Sequence, residues 1–131
     1  MIEQLINKLQ EQRNQLQQLY PAFPYMCCGH AQERLNEELN LVKVYGVYKG
    51  ILSDDYKQKT ADDWSEVNLL SKGIPHNFNY DPETRLFVDI TADQFHDALP
   101  SILLMKINDK RVALSFKQMK PQTTHCVVRY L

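Results

Sequence analysis

Ile2, Leu5, Ile6, Leu9, Leu16 and Leu19 recur at helical spacing, with Gln, Glu, Asn and Lys filling the positions between them. That period predicts an amphipathic helix over residues 1–19, with one apolar stripe turned inward and a Gln-rich face turned to solvent. Pro21 and Pro24 end it, because proline lacks a backbone donor and disfavours helix in the residue before it. A second helix is predicted from Cys28 to about Asn40. Ala31, Leu35 and Leu39 form its inner stripe, and Glu33, Arg34, Glu37 and Glu38 its outer face.

The pattern then changes period. Val42 to Tyr48 is rich in Val and Tyr and predicts a strand. Residues 50–73 are polar and aperiodic apart from Trp64, Val67, Leu69 and Leu70, which leaves loop and short helix both open. A strand–turn–strand follows, HNFNY, DPET, RLFVDI, in which Asp81-Pro82 starts the turn because Pro presets the backbone at the second turn position. Further strands are expected at Ser101–Ile107, Arg111–Phe116 and His125–Tyr130, with a tight turn at Asn108-Asp109-Lys110. Helices first and an antiparallel sheet afterwards indicate one α+β domain spanning residues 1–131.

Composition narrows the function classes. With 44% hydrophobic and 24% charged residues the chain reads as globular, and a formal net charge of −1 offers no global attraction for nucleic acid or an anionic membrane. No apolar stretch approaches the ~20 residues that span a bilayer, and the polar amino terminus resembles no signal peptide. A cytoplasmic location is therefore the default, with export by a signal-independent route left open. The four glycines are scattered, so no phosphate-cradling loop is present.

The three cysteines, Cys27, Cys28 and Cys126, make a poor disulfide framework and leave at least one thiol free for chemistry. Cys28 stands at a predicted helix start, where the helix dipole favours the thiolate and exposed N–H groups can receive an oxyanion. Gly29 after it lets a substrate approach closely. If the hairpin turns between Pro82 and Glu83, Tyr80 faces Arg85, Phe78 faces Phe87 and His76 faces Asp89. Opposed residues share a face with Cβ atoms about 4.5–5.5 Å apart, which lets a carboxylate orient an imidazole. Phe78 and Phe87 would form an apolar floor, while Leu86, Val88 and Ile90 turn to the core. A loop one residue longer or shorter would separate His76 from Asp89.

The segments FPYMCCGHAQERL and PHNFNYDPETRLFVDITADQF resemble the small bacterial members of the transglutaminase-like, papain-like cysteine hydrolases. That group has Cys-Gly opening a helix, a later His beginning a strand and an Asp on the next strand. The resemblance implies a papain-like or transglutaminase-like core, with Cys28 as nucleophile, His76 as base and Asp89 as its orienting acid. It implies substrate contacts at Gly29 and Phe78, a protein or peptide substrate and no cofactor. Gly29 directly after Cys28 favours Cys28 over Cys27 as nucleophile. No side chain is assigned to the oxyanion hole; Gln17 and Gln18 lie in the first helix.

Two other readings compete. Cys27, Cys28, His30, His76, His96, His125 and Cys126 are possible metal ligands by type, but their spacing is not that of a structural zinc site, and no metal is expected. His30 and His96 read as surface residues and Cys126 as core. The second is a catalytically inactive member of the fold that binds a protein partner. Thiol reactivity separates it from the enzyme. Hydrolysis, deamidation and transamidation share one triad, and neither the reaction subtype nor the oligomeric state is readable from the chain.

Overall fold

The structure, a computed structural model, describes residues 1–48, 52–60, 74–106, 108–109, 112–114 and 123–128. Among the described residues three α-helices, α1 (Ile2–Leu19), α2 (Cys28–Leu39) and α3 (Asp54–Thr60), accompany six strands, β1 (Val42–Tyr48), β2 (Ile74–Asp81), β3 (Leu86–Asp89), β4 (Leu103–Lys106), β5 (Val112–Leu114) and β6 (Thr123–Val128). A one-turn 3-10 helix (Ala92–Gln94) follows β3. The fold is α+β. Trp64, Val67, Leu69 and Leu70 lie outside the described residues, as do Ile107, Lys110, Arg111, Phe116, Tyr130 and the side chains of His125 and Cys126. Among the described residues no helix is long and apolar enough to cross a membrane.

The six strands form one sheet in the order β4-β3-β2-β1-β6-β5. β4, β3, β2 and β1 are antiparallel neighbours, as the hairpin pattern predicts. The expectation of a wholly antiparallel sheet needs correction at one seam, because β6 runs parallel to β1. No local pattern announces that pairing, since parallel neighbours are joined by long connections rather than by turns.

Each face of the sheet buries its own cluster. Under α1 and α2 lie Leu5, Leu9, Leu16, Ala31, Leu35, Val88 and Ile90; on the other side Val44, Tyr48, Phe78, Phe87, Phe95 and Met105 pack together. The α1 stripe differs from the expected one. Leu5, Leu9, Gln12, Arg13 and Leu16 are buried, whereas Ile2, Ile6 and Leu19 are exposed. Arg13 has displaced apolar residues from the inner face for a reason given below. α2 ends at Asn40, whose left-handed backbone (φ 56°) terminates helices well.

Two buried amides fix the height of α2 on the sheet. Gln32 Nε2 donates to the carbonyls of Val44 (2.8 Å) and Phe78 (3.2 Å), and Asn79 Nδ2 donates to the Gln32 carbonyl (3.1 Å). Gln32 lies four residues after Cys28, one turn along the same helix face. The bonds that anchor α2 therefore also set where Cys28 stands.

Candidate active site

The β2–β3 hairpin does not adopt the two-residue turn. Asp81 pairs with Leu86, Tyr80 with Phe87 and Asn79 with Val88, so Pro82, Glu83, Thr84 and Arg85 form a four-residue loop. Its reversal is held by the Arg85 amide donating to the Asp81 carbonyl (2.8 Å), with Arg85 in the left-handed region (φ 59°). The Asp81 carboxylate accepts from the Glu83 amide (3.1 Å) and the Thr84 hydroxyl (2.7 Å). Relative to the expected register the pairing slides by two residues. Side chains alternate with a period of two, so an even slide changes partners and preserves faces. His76 and Asp89 become diagonal rather than direct neighbours, and diagonal pairs remain within reach of longer side chains.

They meet. His76 Nε2 lies 2.6 Å from Asp89 Oδ2, and each residue is 1% exposed. The other carboxylate oxygen of Asp89 accepts from the Thr91 amide (3.0 Å) and hydroxyl (3.3 Å), which fixes its orientation. Phe78 stacks beside the imidazole (centroids 5.7 Å apart) and Phe95 meets it edge-on (4.8 Å). Phe78 is itself 2% exposed, so its expected place as a substrate floor is corrected: it supports His76 from within the core. Phe87 is buried as well, opposite Tyr80.

β3 pairs with β2 only at Asn79, Tyr80 and Asp81, which leaves the earlier half of β2 uncovered on that side. The first turn of α2 comes against this stretch. Cys28 interacts with the His76 side chain and with the backbone amide of Asn77. Since Asp89 engages Nε2, the ring nitrogen left to serve the thiol is Nδ1. Cys27 points elsewhere: it is 5% exposed among the residues under α1 and α2, whereas Cys28 is only partly buried.

The two cysteines differ electrostatically too. Burial raises the Cys27 pKa, and neighbouring Cys28 adds to the rise. At Cys28 burial acts the same way, but the hydrogen bond from His76, its charge and the Asn77 amide outweigh it and hold the thiol below its ordinary value. Burial alone would likewise disfavour a charged His76. The charge of Asp89 and its hydrogen bond, helped by Cys28, instead raise the imidazole to about 9. The combination favours a thiolate beside an imidazolium, the reactive form of a cysteine nucleophile.

Gln94, in the 3-10 helix after Asp89, went unnoticed in the sequence. It is 3% exposed, and its Oε1 accepts from the Met26 amide (3.2 Å). That contact fixes which end of the amide is which, because the Met26 N–H needs an acceptor. Nε2, at the other end, is buried and has no hydrogen-bond partner among the described residues. Met26 has φ 57°, an uncommon backbone for a non-glycine residue just ahead of the cysteines. α2 has no side-chain cap at Cys27, so its first N–H groups are not taken up by one. The only sequence sign of Gln94 is its place between Ala92 and Phe95, both buried, in the DITADQF run.

A cleft of about 290 Å³ opens beside Cys28, walled by Gln94 and the apolar surfaces of Met26, Tyr56, Ile74, Pro75 and Phe95. Gly29 is exposed next to it. A Cβ there would come 3.7 Å from Asn77 Nδ2, an ordinary contact, so the fold itself does not demand glycine at that position. His30 stacks on Tyr20 (4.3 Å), and His96 Nδ1 accepts from the Ala98 amide (3.0 Å). Among the described residues no three His, Cys, Asp or Glu side chains converge as a metal site would require.

Comparison with protein-family models, with curated proteins and with solved structures gives no match. The chemistry of the site therefore rests on its own geometry.

Proposed function

We propose that this protein is a thiol-dependent hydrolase or acyltransferase acting on an amide or ester, on a papain-like or transglutaminase-like core. The observation that carries the reading is the buried Asp89–His76 pair facing a cysteine at a helix amino terminus. A structural His–Asp pair has no need of a thiol beside its second nitrogen.

In this reading the Cys28 thiolate attacks the carbonyl carbon, and the carbonyl oxygen takes up the electron pair as an oxyanion. Gln94 Nε2 and the Cys28 amide donate to it; donors set in place before charge develops stabilise it without reorganising. His76 then gives its Nδ1 proton to the leaving nitrogen or oxygen as that bond breaks, leaving a thioester on Cys28. Water or an amine, deprotonated by His76, attacks the thioester and expels the thiolate. Asp89 holds the ring in one tautomer throughout. A protein or peptide is the natural substrate class, since the cleft is open at Cys28.

The test is iodoacetamide labelling against pH, with the modified site mapped by mass spectrometry, for wild type and His76→Ala. Fast labelling of Cys28 below the ~8.5 of a free thiol, lost in His76→Ala, is the expected result. Slow labelling that His76→Ala does not change would discard the enzyme reading in favour of an inactive, partner-binding domain.

A further inference from the structure

The cleft beside Cys28 has two chemical zones, which together describe a substrate. Among the described residues its wall is apolar apart from Gln94 and Cys28 itself. At about 290 Å³ it lies at the bottom of the ~300–1,000 Å³ range of small-molecule pockets. That room suits one apolar side chain or a small acyl group. The buried Nε2 of Gln94 on the same wall has no hydrogen-bond partner among the described residues and is placed to donate to a substrate oxygen.

The rim is acidic. Asp55 precedes Tyr56 on α3, and Asp93 and Asp97 flank the Gln94–Phe95 wall. Tyr25, next to Met26, contacts the Tyr56 ring (centroids 6.5 Å apart) where these elements meet. Burial raises the Tyr25 pKa first, and the charges of Asp55, Asp97 and Asp93 raise it further. Asp93 is committed to Arg13 at 2.7 Å, whereas Asp55 and Asp97 are exposed.

We propose that the cleft receives an acyl group with an apolar side chain, from a peptide whose adjacent residue is Lys or Arg. The apolar side chain occupies the slot, the carbonyl oxygen reaches Gln94 and the cation lies along Asp55 and Asp97. This specificity rests on the thiol-acyl-transfer reading above.

The test uses peptidyl acyloxymethyl ketones with a Leu side chain in the acyl position and Lys, Gln or Glu beside it. Cys28 sulfur displaces the carboxylate leaving group from the methylene carbon and forms a thioether, which mass spectrometry counts. Labelling by the Lys probe should exceed the neutral one by about fivefold, and the Glu probe should be slower still, as expected for two screened carboxylates near the path. Asp55→Asn with Asp97→Asn should bring the three rates together while leaving the neutral probe and iodoacetamide unchanged. Equal rates for the three probes on wild type, or a faster Glu probe, would overturn the charge preference and leave the catalytic pair standing. Failure of the neutral probe and of iodoacetamide alike would remove the catalytic pair, and the specificity with it.

Discussion

Two ion pairs lie four residues apart along one segment, one partly and one fully buried, and their geometries suit opposite tasks. Arg13 joins Asp93 through both carboxylate oxygens (3.0 and 2.7 Å) and also donates to the carbonyls of Ile90 and Ser101, with its guanidinium 5.0 Å over the Phe23 ring. A guanidinium keeps its proton at any working pH, and this one is surrounded by acceptors. His76 joins Asp89 through a single nitrogen, and the second nitrogen faces Cys28. The first pair is a clamp that holds the chain after β3; the second, in the proposed function, is a proton carrier. Burial keeps both together, and the number of uncommitted donor atoms decides which can do chemistry.

The largest expected effect is on the proton carrier. Asp89→Asn keeps an oxygen for the Thr91 amide but presents an NH₂ to His76 Nε2. The ring must then carry its proton on Nδ1 while neutral, and it can no longer accept one from the thiol. Turnover should fall by a factor on the order of 10³–10⁴, and fast Cys28 labelling at neutral pH should disappear. Thermal unfolding should show that the protein still folds. If turnover survived, His76 would be a packing residue rather than the base.

Arg13→Ala attacks the clamp. Removing one partner of a fully buried ion pair typically costs about 3–5 kcal/mol; Asp93 is 22% exposed, so the loss here should be smaller, about 2–3 kcal/mol. Urea unfolding should record a loss of that order. Burial already sets Asp93 above the ordinary carboxyl range, despite the opposing hydrogen bond and charge of Arg13, so the pair is not a large net stabiliser. The dissociation is the sharp part: in the folded fraction the labelling midpoint of Cys28 should stay where it is in wild type. A shift there would mean that Arg13 acts on the triad through Ile90 and Asp89.

The pH profile of turnover sharpens the contrast further. Below the lowered Cys28 pKa both groups are protonated and no nucleophile exists. Between that point and about 9 thiolate and imidazolium coexist, and above it His76 loses the proton owed to the leaving group. Turnover should therefore be bell-shaped with its alkaline limb near 9, falling about tenfold per pH unit past either edge. Iodoacetamide labelling should follow only the acid limb, since a thiolate suffices for it. Asp93→Asn should move neither limb; Asp89→Asn should remove the bell.

Much of this arrangement could be read from the chain. The bounds of α1, α2 and β1 fall within a residue or two of those expected, because each element's period is local, although the buried face of α1 is not the one its leucines and isoleucines alone suggest. The approach of His76 to Asp89 was also readable, although the turn is not the one expected: facing depends on whether the slide is even or odd, not on its size. Arg13, Gln32 and Gln94 were not readable. Each is a polar residue that local rules assign to solvent, and each is buried by partners far along the chain, with 77 residues separating Arg13 from Ile90 and 68 separating Met26 from Gln94. The parallel seam between β1 and β6 is hidden for the same reason.

The smallest expected effect tests the hairpin that brings the carrier together. Arg85 occupies the left-handed region at φ 59°, where an L side chain costs about 1–2 kcal/mol. Arg85→Gly relieves that strain, less the entropy glycine adds to the unfolded chain, so a gain of up to about 1 kcal/mol is expected in urea unfolding. Loop length and register are unchanged by the substitution, and Cys28 should label as in wild type. Inserting one residue after Arg85 is the complementary change. If the ladder slides by one to absorb it, Asp89 moves to the face under α1 and α2, and fast labelling should vanish while the helices remain. If labelling survives the insertion, the loop has bulged to absorb it, and the ladder keeps the register that holds His76 against Asp89.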